Sequence, residues 1–107
     1  MKKLVKISIF MQVIVQEKSF KYYYDNMDTV LYNICYIKEK EKLYKSIDME
    51  SQMEDSIYIA HFYFKLDTLK SAPKISYGLH IFENGKEIES KIKIIKISYE
   101  IIKKENN

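Results

Sequence analysis

From residue 4 to residue 15 the chain alternates. Val5, Ile7, Ile9, Met11 and Val13 fall on one side, with Lys6, Ser8 and Gln12 among those on the other. A period of two over that length predicts a half-buried β-strand. Phe10 and Ile14 interrupt the polar side, so part of that side is expected to be covered as well. The alternation returns at Tyr58, Ala60, Phe62, Phe64 and Leu66, and again at Ile75, Tyr77, Leu79 and Ile81, with the segment DTLKSAP turning the chain between them. Each run predicts a further strand.

Asn84-Gly85 follows the last of these runs. A two-residue type I′ turn needs positive φ at both central positions, which Asn and Gly accept at little cost, so this pair predicts a β-hairpin. Residues 86–102 then read as the returning strand. Its apolar parity runs on Ile88, Ile92 and Ile94 and then moves to Ile95, Ile97, Tyr99 and Ile101. Such a change of parity inside one strand predicts a β-bulge, because one extra residue reverses which side points inward. Gly78 is expected to mark a bulge or a close backbone approach, and the terminal KKENN is expected to fray.

Residues 19–46 read two ways. At helical spacing Phe20, Tyr23, Tyr24, Met27, Val30, Leu31, Ile34 and Ile37 form one apolar stripe, with Lys21, Asp25, Asp28, Thr29 and Asn33 opposite and Ser19 placed to cap the start. The β-branched and aromatic content favours strands instead. The chain has no Gly and no Pro before Pro73. Tight turns usually draw on those residues, so one helical segment is the favoured expectation. DMESQMED, residues 48–55, is polar and reads as a loop. The expected architecture is α+β: an N-terminal strand, a helical segment over 19–46, then a three-stranded antiparallel β-meander. The alternative is an all-β sandwich with extra strands within residues 20–49.

Composition narrows the class. The 107 residues suit one domain, 1–107, and 47% hydrophobic against 31% charged residues fit a folded rather than a disordered chain. Arg and Trp are absent, while Lys, Ile, Tyr and Asn abound. Those residues have AT-rich codons, which points to an AT-rich bacterium or a phage of one. The N-terminal MKKLVKISIF superficially resembles a signal peptide, but Lys6 and Gln12 interrupt the apolar run and no small-residue cleavage site follows. No apolar run approaches the ~18 residues of a membrane span. Cys35 is the single cysteine, which excludes an internal disulfide. These features predict a cytoplasmic protein with no membrane partner.

Candidate chemistry is sparse. His61 and His80 are the only histidines, and a hairpin centred near residue 70 or 71 would set them opposite one another. No third metal ligand is evident, so the pair reads as structural and no metal or cofactor is expected. Glycine-flanked nucleophiles, paired cysteines and phosphate-binding loops are all missing, and no enzymatic activity is expected. Lys91, Lys93 and Lys96 line the C-terminal strand. They read as protection of a sheet edge or as a row of phosphate contacts, although a chain without Arg is poorly equipped to read bases. The run Tyr22-Tyr23-Tyr24 cannot point wholly into one core, and Tyr22 is the member expected at the surface, where tyrosine favours protein contacts. The expected function is a small non-catalytic protein-interaction module, such as a phage or mobile-element factor that inhibits a host defence protein by covering its surface. The partner-binding candidates are Tyr22, Tyr23, Tyr24, Lys91, Lys93 and Lys96. The alternative is a nucleic-acid binder without sequence preference, using the lysine-rich hairpin.

Overall fold

The computed structural model describes residues 2–67 and 73–105. It is built almost entirely of strands. In chain order these are β1 (Lys2–Val15), β2 (Thr29–Glu39), β3 (Lys42–Lys45), β4 (Asp48–Glu54), β5 (Ile57–Leu66), β6 (Lys74–Glu83), β7 (Lys86–Ile88) and β8 (Ser90–Glu105), with one short helix, α1 (Phe20–Asp25), between β1 and β2. They form two antiparallel four-stranded sheets. Sheet A has the order β4-β5-β1-β8 and sheet B the order β3-β2-β6-β7. The expectation of an α+β fold is therefore overturned, and the architecture is close to the all-β alternative.

The alternating runs become strands because each has one apolar side to bury. Val5, Ile7, Ile9 and Met11 of β1 are fully buried, as are Tyr58, Ala60, Phe62, Phe64 and Leu66 of β5, and each pair of neighbours shares the inner face through the β1–β5 register. Sheet B adds Cys35, Ile37, Leu79 and Ile81 from its inner face.

The helical expectation fails at residue 26. Ser19 does cap a helix, its hydroxyl accepting from the Tyr22 backbone N–H, but that helix lasts six residues and ends where the Asn26 N–H bonds the Tyr23 carbonyl. Residues 29–39 are instead strand β2, which carries Leu31, Cys35 and Ile37 inward while Val30, Tyr32, Ile34 and Tyr36 point outward. Both sides are apolar, so the period of two vanishes from the sequence and a helical stripe takes its place. Asn33, which the helical pattern sets on the polar side, points into the core. There its Oδ1 accepts from the hydroxyls of Tyr58 at 3.0 Å and Tyr77 at 2.6 Å. Met27, expected on the apolar stripe, is exposed.

Two of the turns before Pro73 form without Gly or Pro. Lys40 joins β2 to β3 and Asp55 joins β4 to β5, each at φ +54°. A left-handed residue other than Gly costs about 1–2 kcal/mol, which the sheet pairing offsets. Of the segment expected to be a loop, 48–55, all but Asp55 is strand β4, with Met49, Ser51 and Met53 inward and Asp48, Glu50, Gln52 and Glu54 outward.

Asn84 (φ +51°) and Gly85 (φ +79°) make the expected hairpin turn. The returning strand, however, pairs with β6 only over Lys86–Ile88. At Glu89 the chain leaves sheet B, and from Ser90 it runs antiparallel to β1 along its whole length. The three-stranded meander is thus not formed. The expected bulge is present, since Phe10 pairs with Lys96 and Met11 with Ile94, leaving Ile95 as the extra residue. A second shift at Leu4/Val5 leaves Ile102 extra. Gly78 sits in an unbroken ladder opposite Ile34 with open space at its Cβ position, so it marks neither a bulge nor a close approach. The terminal segment does not fray at once, because β8 continues to Glu105; residues 106–107 lie outside the described residues. No helix among the described residues is long and apolar enough to cross a membrane.

Candidate functional site

The two histidines do not meet. Their strands, β5 and β6, belong to different sheets, and each ring lies on the outer face of its own sheet. The hairpin expected between them is not formed, since β5 and β6 do not pair; residues 68–72 lie outside the described residues. His61 Nδ1 lies 2.7 Å from the Ser8 hydroxyl, and His80 Nδ1 lies 2.8 Å from Glu87. Partial burial, reinforced by Lys6, holds His61 below its ordinary pKa. Ser8 is in the middle of β1, a strand bonded on both sides, so the backbone around it is committed to the sheet rather than free to stabilise an oxyanion. Cys35 is buried and its thiol is pushed up to about 12 by that burial, which makes it unreactive.

The tyrosine run closes one end of the sandwich. Phe20 and Tyr23 are buried, Phe20 meets Tyr58 edge-on at 4.9 Å, and the Tyr24 hydroxyl donates to the Ser51 carbonyl at 3.2 Å. Tyr22 alone reaches the surface, as expected, and even it is held: its hydroxyl donates to Glu83 and Lys18 lies 4.1 Å above its ring. Tyr23 and Tyr24 therefore have their rings committed to packing. Lys91, Lys93 and Lys96 share the outer face of sheet A on its edge strand β8, with Lys96 stacked 4.4 Å over Phe10. Among the described residues no hydrogen bond, ion pair or ring contact joins these lysines to the tyrosine run.

Two apolar surfaces emerge that the pattern reading did not single out. The first is the outer face of sheet B. Val30, Tyr32 and Ile34 of β2 are exposed there, with Tyr36 and Phe82 half-buried beside them; Tyr32 and Phe82 meet edge-on at 5.5 Å. Opposite Ile34 stands Gly78, whose missing side chain leaves Ile34 uncovered. Lys38, Lys45 and Lys74, all exposed, lie at one end of this face next to the exposed Leu43. No alternation marks Val30, Tyr32, Ile34 and Tyr36 in the sequence, because Leu31, Cys35 and Ile37 between them are apolar as well.

The second surface is strand β8. Val5, Ile7 and Met11 on the inner face of β1 are 0% exposed, yet their direct partners on β8 are not: Ile101 is 46%, Tyr99 45% and Ile94 46% exposed. Strand β7 is only three residues long, so sheet B ends early on this side. The bulged Ile95 and Ile102 are exposed as well. The chain matches no protein-family model, no curated protein and no solved structure.

Proposed function

We propose that this protein is a non-catalytic interaction module that binds another protein through the outer face of sheet B. The observation that carries the reading is the stripe Val30-Tyr32-Ile34 with Tyr36 and Phe82: adjoining aromatic and β-branched side chains turned to solvent on a rigid sheet. An exposed apolar patch of this kind marks interaction surfaces. Tyr and Phe are the residues that anchor such contacts at low entropic cost. The three lysines at one end favour a partner whose apolar surface is bordered by acidic residues. A module of this kind acts by covering its partner's surface, without chemistry of its own.

The test compares three forms of the protein as bait in host lysate: wild type, Tyr32→Ala/Ile34→Ala, and Lys91→Gln/Lys93→Gln/Lys96→Gln. A captured partner's affinity is then measured at low and high salt. The reading expects affinity to fall by ~2 kcal/mol or more in the Tyr32/Ile34 variant, while the lysine variant binds normally at raised salt. Binding that instead follows the three lysines, falls steeply with salt and extends to single-stranded DNA or RNA would refute it in favour of a nucleic-acid binder.

A further inference from the structure

Among the described residues strand β8 has a neighbour on one side only, β1, and it spans 16 residues. About half of its backbone N–H and C=O groups therefore point away from the sheet with no strand to receive them. Edges of this kind are usually short or blunted. Here the edge is the longest strand of the protein, and Ile94, Ile95, Tyr99, Ile101 and Ile102 are all exposed along it. The lysines and the two bulges are devices that discourage pairing with an arbitrary strand. They do not discourage pairing with a strand that carries the same features in mirrored order.

The positions on β8 are mirrored about Ser98. The outward residues are Lys93, Lys96, Ser98, Glu100 and Lys103, at −5, −2, 0, +2 and +5 from that centre. The register shifts supply the symmetry. The bulge at Ile95 puts two residues between Lys93 and Lys96, and the bulge at Ile102 puts two between Glu100 and Lys103. With only one of the two bulges a reversed copy of the strand would fall out of phase beyond it, and one side's apolar residues would face the other's charges.

We infer that two copies of this chain pair through β8 in antiparallel register, about a two-fold axis at Ser98. In that register Ile97 faces the second copy's Tyr99, and Lys96 faces its Glu100, each twice by symmetry. The step Ile94-Ile95 lies against Ile101-Ile102, so the exposed isoleucines cover one another. Lys93 opposes Lys103 at the two outer margins, where solvent screens the repulsion. The axis stands perpendicular to the sheet, so sheet A continues from one copy into the next as eight strands. Both copies of sheet B then lie on the same side. Two binding faces of the kind proposed above would be displayed together, although the dimer itself does not depend on that proposal.

The competing arrangement is head to tail, with β8 against the acidic edge strand β4, which presents Asp48, Glu50 and Glu54. Such contacts are not self-complementary and build rings or open chains rather than a closed dimer.

The experiment combines sedimentation velocity with charge exchange and cross-linking. Wild type at micromolar concentration should sediment at about twice the 12.9 kDa chain mass. Lys96→Glu alone and Glu100→Lys alone should each raise the dimer dissociation constant by about fivefold or more, since each sets two like-charge pairs in place of two attractive ones. The double exchange should restore it. Ser98→Cys should form a disulfide-linked dimer under mild oxidation, whereas Lys103→Cys, whose symmetry mate is Lys93, should not. Circular dichroism melts confirm that each variant is folded. A monomer at all concentrations, a ladder of larger species with no disulfide-linked dimer from Ser98→Cys, or a double exchange weaker than either single one would each overturn the inference.

Discussion

Replacing Asn33 by Leu removes a polar side chain that ties the two sheets together in the core. Asn33 belongs to β2 and Tyr77 to β6, both in sheet B, whereas Tyr58 comes across from β5 of sheet A. Both hydroxyls donate to the same amide oxygen. Tyr58 is fully buried, and burial raises the pKa of both phenols. Leu fills a similar volume but accepts nothing. A buried hydroxyl left without a partner costs about 1–3 kcal/mol. Two are stranded, and the gain from burying a leucine offsets part of the loss, so the net destabilisation should be ~2–4 kcal/mol. At about 4–5 °C per kcal/mol for a domain of this size, that is a fall in Tm of roughly 8–20 °C by circular dichroism. The triple variant Asn33→Leu/Tyr58→Phe/Tyr77→Phe should recover most of it, because no polar group is then left unpaired. A single variant that melts within ~2 °C of wild type, or a triple variant no more stable than the single, would refute this account of the node.

Gly85→Val should cost ~1–2 kcal/mol in urea unfolding, because a β-branched residue resists the φ of +79° found there; unchanged stability would reject the turn's role. Burial raises the folded pKa of Tyr58 and Tyr77 above the ordinary 10.0, so their contribution is intact below pH 10 and is lost as pH rises beyond it. Tyr77→Phe should therefore flatten the alkaline decline in Tm between about pH 10 and 12. His61 is shifted the other way, so it stabilises the fold above its ordinary 6.5 and that contribution fades as pH falls through the lower folded value. His61→Gln/His80→Gln should keep the fold, since each ring sits on an outer face with its own partner, and should flatten the acid side of the Tm profile; stoichiometric zinc bound by wild type and lost in this variant would contradict the separation of the two rings.

How much of this was legible depends on whether a segment buries one side or two. Strands β1, β5 and β6 each set an apolar row against a mostly polar or mixed one, and a period of two announces them without reference to any neighbour. Asn84-Gly85 is equally local, since the turn's dihedral angles select those residues directly. The bulge at Ile95 was legible for the same reason: the apolar parity of β8 changes where the register against β1 shifts. The residues of β2 carry apolar side chains on both faces, so their pattern contains no strand period. Only the pairing with β6 decides that Asn33 turns inward and Tyr32 outward.

The candidate surfaces followed the same division. That one tyrosine of the run 22–24 must face solvent is a matter of local geometry, and Tyr22 does. That Tyr23 and Tyr24 pack into the sandwich end depends on Tyr58 and Ser51, residues far along the chain. The turns at Lys40 and Asp55 carry no local signal, because their left-handed geometry is imposed by the strands they join, not by their own preference. The sequence by itself determined the positions of β1, β5 and β6, because an unbroken apolar row on one face is set within a few residues, whereas β4, whose inner row is only Met49, Ser51 and Met53, needed β5 beside it. Which strand each one pairs with, and so which apolar side chains are left in water on β2 and β8, was decided by the tertiary structure. The switch of the chain from sheet B to sheet A at Glu89 shows why: hydrogen bonding along a strand is satisfied equally well by either neighbour, and only the packing of the whole sandwich chooses between them.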